Sequence, residues 1–538
     1  MKKILAIFTT LLLLFTIVAC GKVPEYFAEF KVDVDRETTL IAVEIELTDP
    51  DDEVKGDIFV TLKNLKTDKK DSKTTNKEKI KEDKEDNKRI EFNNLDSGTD
   101  YELEIKTTIN EKSITVYKKT YKTRTSSKVS IRTTEDFLKI RDRRSATYIL
   151  EEDLDFKDVD PSDINKGVIT IFSGNFDGNN KTIKNFTLES SSINIGLFGQ
   201  LSGSAEVKNL NLENITIKQK GEAKGSKRAG ILFGQNTSRS TIVDNISIKN
   251  SKIELSLDSE SKTQEVGFLG GAAVAKISNI NIDNTNVIVI NQERTGDVKI
   301  GGLIGKIDNT SSEDVLVENI ITEGKINYTV TQRTVNEDDK ETLNGLKISE
   351  SSINIAGLVG QANNVKFKNV IVKTNIHFNE SNFVLEKLEE KQRRNTKVFI
   401  DVSGLISRNA NINLENIVYS GLIEIEKIEM FNKLDEDEKL GYELYINSSA
   451  FVSQSQIFNS KVKNVLRVDG TINVFESTDN NILVETGVLF TKSPNIVFNE
   501  NNTFGVNNEA LLDENSNIQV LNLNDLFDED SFIINNFK

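Results

Sequence analysis

Residues Gly196 to Ile217 read GLFGQLSGSAEVKNLNLENITI. Two glycines bracket an apolar pair, and a run of alternating Val, Leu and Ile then follows, broken by Asn209. The pattern returns as GILFG (Gly230 to Gly234), GFLGG (Gly267 to Gly271), GGLIG (Gly301 to Gly305) and AGLVG (Ala356 to Gly360). Weaker copies are SGLIS (Ser403 to Ser407), SAFVS (Ser449 to Ser453) and GVLF (Gly487 to Phe490). The first copies recur about every 35 residues, the mark of a repeat architecture. The wider later spacings read as loops inserted into a regular scaffold.

After each copy but the last, one asparagine holds the same place: Asn209, Asn245, Asn279, Asn319, Asn369, Asn416 and Asn464. Two residues before it stands an apolar side chain (Val207, Val243, Ile277, Val317, Phe367, Leu414, Val462). Immediately after it stands another (Leu210, Ile246, Ile280, Ile320, Val370, Ile417, Val465). In an unbroken strand those two positions face opposite sides. Both are apolar every time, so the chain turns a corner at the asparagine. Asn tolerates left-handed backbone, and stacked amides can bond from coil to coil. The repeat glycines Gly196, Gly199, Gly230, Gly234, Gly267, Gly270, Gly302, Gly305, Gly357 and Gly360 are read as permitting tight turns or close backbone approach. Short strands turning alike at a fixed period predict a parallel β-helix over 126–500. Thr133 to Phe156 is the expected N-terminal cap, and 501–538 the C-terminal one.

The 538 residues carry a net charge of −16, which argues against nucleic acid as a partner. Cys20 is the single cysteine and His377 the single histidine. That excludes internal disulfides and leaves no His/Cys zinc set. No cofactor is expected.

Residues 1–20, MKKILAIFTTLLLLFTIVAC, form a secretory signal: two lysines, then an apolar stretch too short to be a stable membrane span. Ile17-Val18-Ala19-Cys20 resembles the bacterial lipobox, which implies an acylated Cys20 as lipid anchor to the bilayer and an extracytoplasmic location.

Between 21 and 125, short alternating runs such as Gly56 to Leu65 and Asp100 to Ile109 predict strands of a small β-sandwich. LDSGTDYELEI (Leu95 to Ile105) resembles the tyrosine corner of fibronectin type III domains, with Tyr101 as the corner residue. The charged stretch 66–88 reads as a solvated loop.

ATYILEEDLDF (Ala146 to Phe156), FSGNFDGNNKTIKNFTLE (Phe172 to Glu189) and the opening stretch resemble the start of a GLUG-repeat region. Similar runs occur in the non-catalytic part of IgA1-protease-type zinc metalloproteases. The resemblance implies a right-handed β-helix on a bacterial surface. Those proteases carry a His-Glu-x-x-His motif, which a chain with one histidine lacks, so their activity is not implied. The expected function is therefore non-catalytic: a surface binding or adhesion module toward a host protein or glycan. Two alternatives stand: a β-helix polysaccharide lyase or hydrolase using carboxylates such as Asp155, Asp177 or Asp401, and an accessory scaffold for a separate surface metalloprotease. DPDDE (Asp49 to Glu53) reads as a turn, and His377 as a strand or edge residue. The insertions Thr331 to Gly345 and Asn379 to Lys397 are candidate partner loops.

Overall fold

The computed structural model describes residues 27–36, 40–81, 89–93, 95–96, 98–123, 128–166, 169–219, 226–257, 263–291, 297–331, 352–381, 396–428, 442–455, 461–477, 482–491, 504–508, 511 and 518–537. Cys20, the Thr331 to Gly345 insertion beyond its first residue, and most of the second insertion lie outside them. The chain divides into two compact units, Met1–Thr125 and Ser126–Lys538.

The first unit holds β1 (Glu29–Arg36), β2 (Ile41–Thr48), β3 (Val54–Asn64), β4 (Lys70–Asn76), β5 (Arg89–Phe92), β6 (Asp100–Ile109) and β7 (Lys112–Lys122). They form two antiparallel sheets, ordered β1-β2-β5 and β4-β3-β6-β7. Strand β6 shows why: every second residue, from Tyr101 through Leu103 and Ile105 to Ile109, is buried. Tyr101, Leu103 and Ile105 share one core with Ile41, Val43, Val60, Leu62 and Phe92 of the other strands, and Ile109 packs with Ala28 and Val54. The Tyr101 hydroxyl accepts from the backbone N–H of Asp96 at 2.7 Å and from Asn64 Nδ2 at 3.3 Å.

The reading of 66–88 as a loop is corrected. Lys70 to Asn76 pair antiparallel with β3, and the helix Lys77–Lys81 buries Ile80. The strand lies at a sheet edge with most side chains exposed. An edge strand needs only backbone pairing, and charge on it discourages further strand addition. A polar composition is therefore no bar to a strand there.

The second unit is a parallel β-solenoid. Strands pair in parallel with their counterparts one coil later, for example Glu206–Glu213 with Ile242–Lys249 and then Lys276–Asn291. One continuous apolar cluster runs from Ile131 to Val506. The N-terminal coil is closed by the helix Thr134–Leu138, begun by a capping box between Thr133 and Asp136. Its Phe137 packs edge-on against Phe156, Phe176 and Phe186. At the other terminus, the helices Leu523–Leu526 and Phe532–Asn536 place Phe527 and Ile533 on Ile371, Val418 and Leu466. Those three stack in register on the outside of successive coils, so the C-terminal helices lie along the flank.

The repeat asparagines all adopt left-handed backbone, with φ between 53° (Asn245) and 58° (Asn319). Their amides bond from coil to coil. Asn245 Nδ2 donates to Asn209 Oδ1 (2.8 Å), and Asn209 to Asp177 (3.0 Å). A second run goes from Asn464 through Asn416, Asn369 and Asn319 to Asn279, each step 2.9–3.0 Å. Asn279 then donates to Asp244 at 2.7 Å rather than to Asn245. A further left-handed corner at Asn185, Asn214, Asn250 and Asn284 shortens the strands of the early coils. Later coils lose it, and the strand Val315–Thr331 runs unbroken.

Candidate active-site groove

The glycine-bracketed turn is the start of the site. Its apolar residues all point inward: Ile231, Leu232 and Phe233 are buried in succession, as are Phe268 and Leu269. The corner is thus re-entrant, its apex pushed into the core. On its outer side the two strands nearly touch. A Cβ on Gly271 would stand 2.6 Å from the carbonyl oxygen of Glu265, and one on Gly305 2.4 Å from the N of Val266. Close approach, and not positive φ, is why glycine is needed here. In the later coils serine replaces it: Ser407 Oγ donates to the carbonyls of Ile355 and Asp401, and Ser453 Oγ to that of Val402 at 2.8 Å.

Strand register refines the glycine assignment. The first-glycine row runs Gly196, Gly230, Gly267, Gly301 and Ala356; Gly302 and Gly357 stack one place later. Gly271, not Gly270, aligns with Gly234 and Gly305. Where two glycines adjoin, spacing alone does not say which one meets the opposing backbone.

Above this floor, two rows of side chains form a groove along the coils. One wall is Arg228, Glu265, Lys299, Asn354, Asp401, Asn447 and Glu485, in register on stacked strands and facing away from the core. Opposite stand Gln235, Ala272, Lys306, Gln361 and Arg408. In the early coils the groove is closed by charge pairing: Arg228 Nε reaches Glu265 at 2.6 Å, and Lys306 lies 4.0 Å from it across the groove. Burial holds the Lys299 ammonium below its usual pKa.

The pairing stops at Asn354 and Asp401, both wholly buried. Asp401 Oδ1 accepts from Asn447 Nδ2 at 2.7 Å. Its Oδ2 has no hydrogen-bond partner, and neither has Asn354 Oδ1. Burial pushes the Asp401 carboxyl up to about 6, against the opposing pull of the Asn447 amide and the Arg408 charge. A carboxylic acid that keeps its proton into the mildly acidic range, with one oxygen free, is suited to proton donation.

The other sequence candidates are occupied by structural bonds. Asp177 Oδ1 accepts from the N–H of Asn179 and from Asn209. Asp155 accepts from Asn185 at 2.7 Å and from the Lys157 N–H. Asp49 caps the Glu53 and Val54 N–H groups and pairs with Lys77, so DPDDE is a turn. His377 lies between two carboxylates, 3.0 Å from Glu424 and 3.1 Å from Glu426. Among the described residues no group of three or more His, Cys, Asp or Glu is placed to hold a metal ion.

No family model and no curated protein matches the chain. It is similar to the solved structure of a family 28 exopolygalacturonase from Yersinia enterocolitica, at 10% identity and a TM-score of 0.15, over 89% of this chain and 99% of that one. At that TM-score the likeness transfers neither substrate nor residue. The expectation of a protein without enzymatic activity is not kept: it took no account of the Asp401 carboxyl, wholly buried and raised by its surroundings. Sequence spacing cannot show burial, so Asp401 stood level there with Asp155 and Asp177.

Proposed function

We propose that this chain is an extracytoplasmic, lipid-anchored glycosidase built on a right-handed parallel β-helix, with Asp401 as the proton donor. The observation that carries the reading is the wholly buried, half-partnered Asp401 carboxyl, pushed up to about 6 in the groove. Asp401 protonates the glycosidic oxygen as the bond to the leaving sugar breaks. Glu485 is its counterpart, two strands away in the same row with Asn447 between them. Two inter-strand steps put the pair about 9–10 Å apart at the backbone. Carboxyls about 6.5–9.5 Å apart leave room for a water on the far side of the sugar, which predicts inversion at the anomeric carbon. Glu485 takes that water's proton as its oxygen bonds to the carbon. Asp401 is wholly buried, so the reading requires a side-chain movement that exposes it; Arg408, half-buried on the opposite wall, is the charged neighbour there.

The lipid anchor rests on the lipobox-like Ile17 to Cys20, the one place where cysteine is used. The first unit is read as fibronectin type III-like, supported by its three- and four-stranded sheets and by the Tyr101 hydroxyl closing on Asp96.

The test is release of reducing ends from a panel of neutral and acidic polysaccharides by the full chain. Asp401→Asn and Glu485→Gln should each abolish it, and NMR should show the inverted anomer first. A panel left wholly intact, or an Asp401→Asn chain as active as the parent, refutes the proposal.

A further inference from the structure

The strands that carry Asp401, Asn447 and Glu485 present a second row on the same outward face, two residues earlier: Phe399, Tyr445 and Leu483. Phe399 and Tyr445 are stacked, with ring centroids 5.0 Å apart and planes at 17°. Leu483, next in register, is 46% exposed. None of the three belongs to the solenoid core. An outward apolar row on this unit is elsewhere covered by the chain itself, as Phe527 and Ile533 cover Ile371, Val418 and Leu466. Among the described residues, no buried apolar cluster includes this row.

We propose that Phe399, Tyr445 and Leu483 form a stacking platform for an uncharged pyranose ring, beside the bond that Asp401 and Glu485 cleave. This rests on the glycosidase reading and names its substrate class. A pyranose is amphipathic: its C–H face is apolar and its rim carries hydroxyls. The C–H face suits a flat aromatic pair, whose π-faces are electron-rich. The hydroxyl rim suits the neighbouring row, where the Asn447 amide both donates and accepts. A few such polar groups beside an apolar surface are the usual composition of a ligand site. The carboxylate of a uronic acid has no such fit. It would lie against Asp401 and Glu485, with Arg408, across the groove, the cation the structure sets against Asp401.

The test titrates the full chain, in detergent, with cellohexaose, chitohexaose and hexagalacturonate by calorimetry. At least one uncharged hexamer should bind, with hexagalacturonate at least tenfold weaker. Tyr445→Ala and Phe399→Ala should weaken binding tenfold or more, while Tyr445→Phe retains it; unchanged melting of each variant shows that the coil is intact. Tightest binding of hexagalacturonate, no binding of either uncharged hexamer, or a Tyr445→Ala chain of undiminished affinity overturns the platform. Binding that survives in a chain releasing no reducing ends from any substrate overturns the glycosidase reading and leaves the platform standing. Reducing-end release with a KM that Tyr445→Ala does not move does the reverse.

Discussion

Replacing Asp401 with Asn should make the solenoid more stable at neutral pH while removing its activity. The substitution keeps the shape and the oxygen that accepts from Asn447, and removes only the titrating proton. In the folded chain the carboxyl titrates near 6 against an ordinary value of 3.8. At about 1.36 kcal/mol per pH unit, that difference corresponds to about 3 kcal/mol. The direction follows from linkage. The folded state holds the proton more tightly, so below about pH 4 both states are protonated and the burial of Asp401 carries no charge penalty. As pH rises through 4 to 6 the unfolded chain ionises first, and stability falls until the folded group has ionised as well. Above pH 7 the parent therefore bears the whole penalty, and the Asn variant bears none. In a unit of roughly 400 residues, about 3 kcal/mol moves the melting midpoint by roughly 3 °C. Thermal melts of parent and variant at pH 4.5 and 7.5 measure it. The difference between the two chains, and not either curve alone, isolates this group from carboxylates that shift the other way, such as Asp136 and Asp308. A variant that melts with the parent at both pH values, or below it at pH 7.5, refutes the burial argument.

Four further outcomes follow from the same geometry. Glycan cleavage should decline as pH rises through about 6, because Asp401 must hold its proton to donate it; a rate that climbs through that range in a pH profile contradicts the assignment. Asn369→Ala forfeits both ladder bonds and puts a Cβ-bearing non-Asn residue at φ 56°, costing about 2–3 kcal/mol, while Asn369→Gly costs less because the backbone strain is gone; equal melting of the two variants argues against strain. Gly305→Ala drives a Cβ into the Val266 backbone and should destabilise far more than Ser407→Ala, which loses about 1–2 kcal/mol with its hydroxyl bonds; the reverse order in denaturant melts contradicts the re-entrant corner. Tyr101→Phe should cost the first unit about 1–2 kcal/mol, with the transition of the second unit unmoved in calorimetry.

The coil was legible in the sequence because its corners use a residue with a specific backbone talent. Asn209 to Asn464 occupy left-handed backbone that few other side chains accept, so the spacing itself carries the geometry. The second corner, at Asn185, Asn214, Asn250 and Asn284, left the same signal five residues after Asn180, Asn209, Asn245 and Asn279, and reading the Asn-to-Asn offset would have found it. The strand Lys70–Asn76 left none, since an edge strand is held by backbone bonds that composition does not encode. The groove was hidden for another reason. Its walls pair residues from different coils across insertions of unequal length. Asp401 differs from Asp155 only in what surrounds it once the coils are stacked. Serine standing for glycine at Ser407 and Ser453 looked like decay of the motif; the structure shows hydroxyls bonded to the carbonyls that the glycines merely clear.

In the row from Asn209 to Asn464 every side-chain amide points its NH2 toward the preceding coil, and its two runs end on aspartates, Asp177 and Asp244. A carboxylate can only accept, so it leaves the first amide one orientation, and each amide then dictates the next. The row is a one-way message with a fixed first letter. The polarity of each amide is thus set by the coil before it, from the N-terminal end outward. The second aspartate restarts the message partway along, so the later run takes its orientation from Asp244 and not from the early coils.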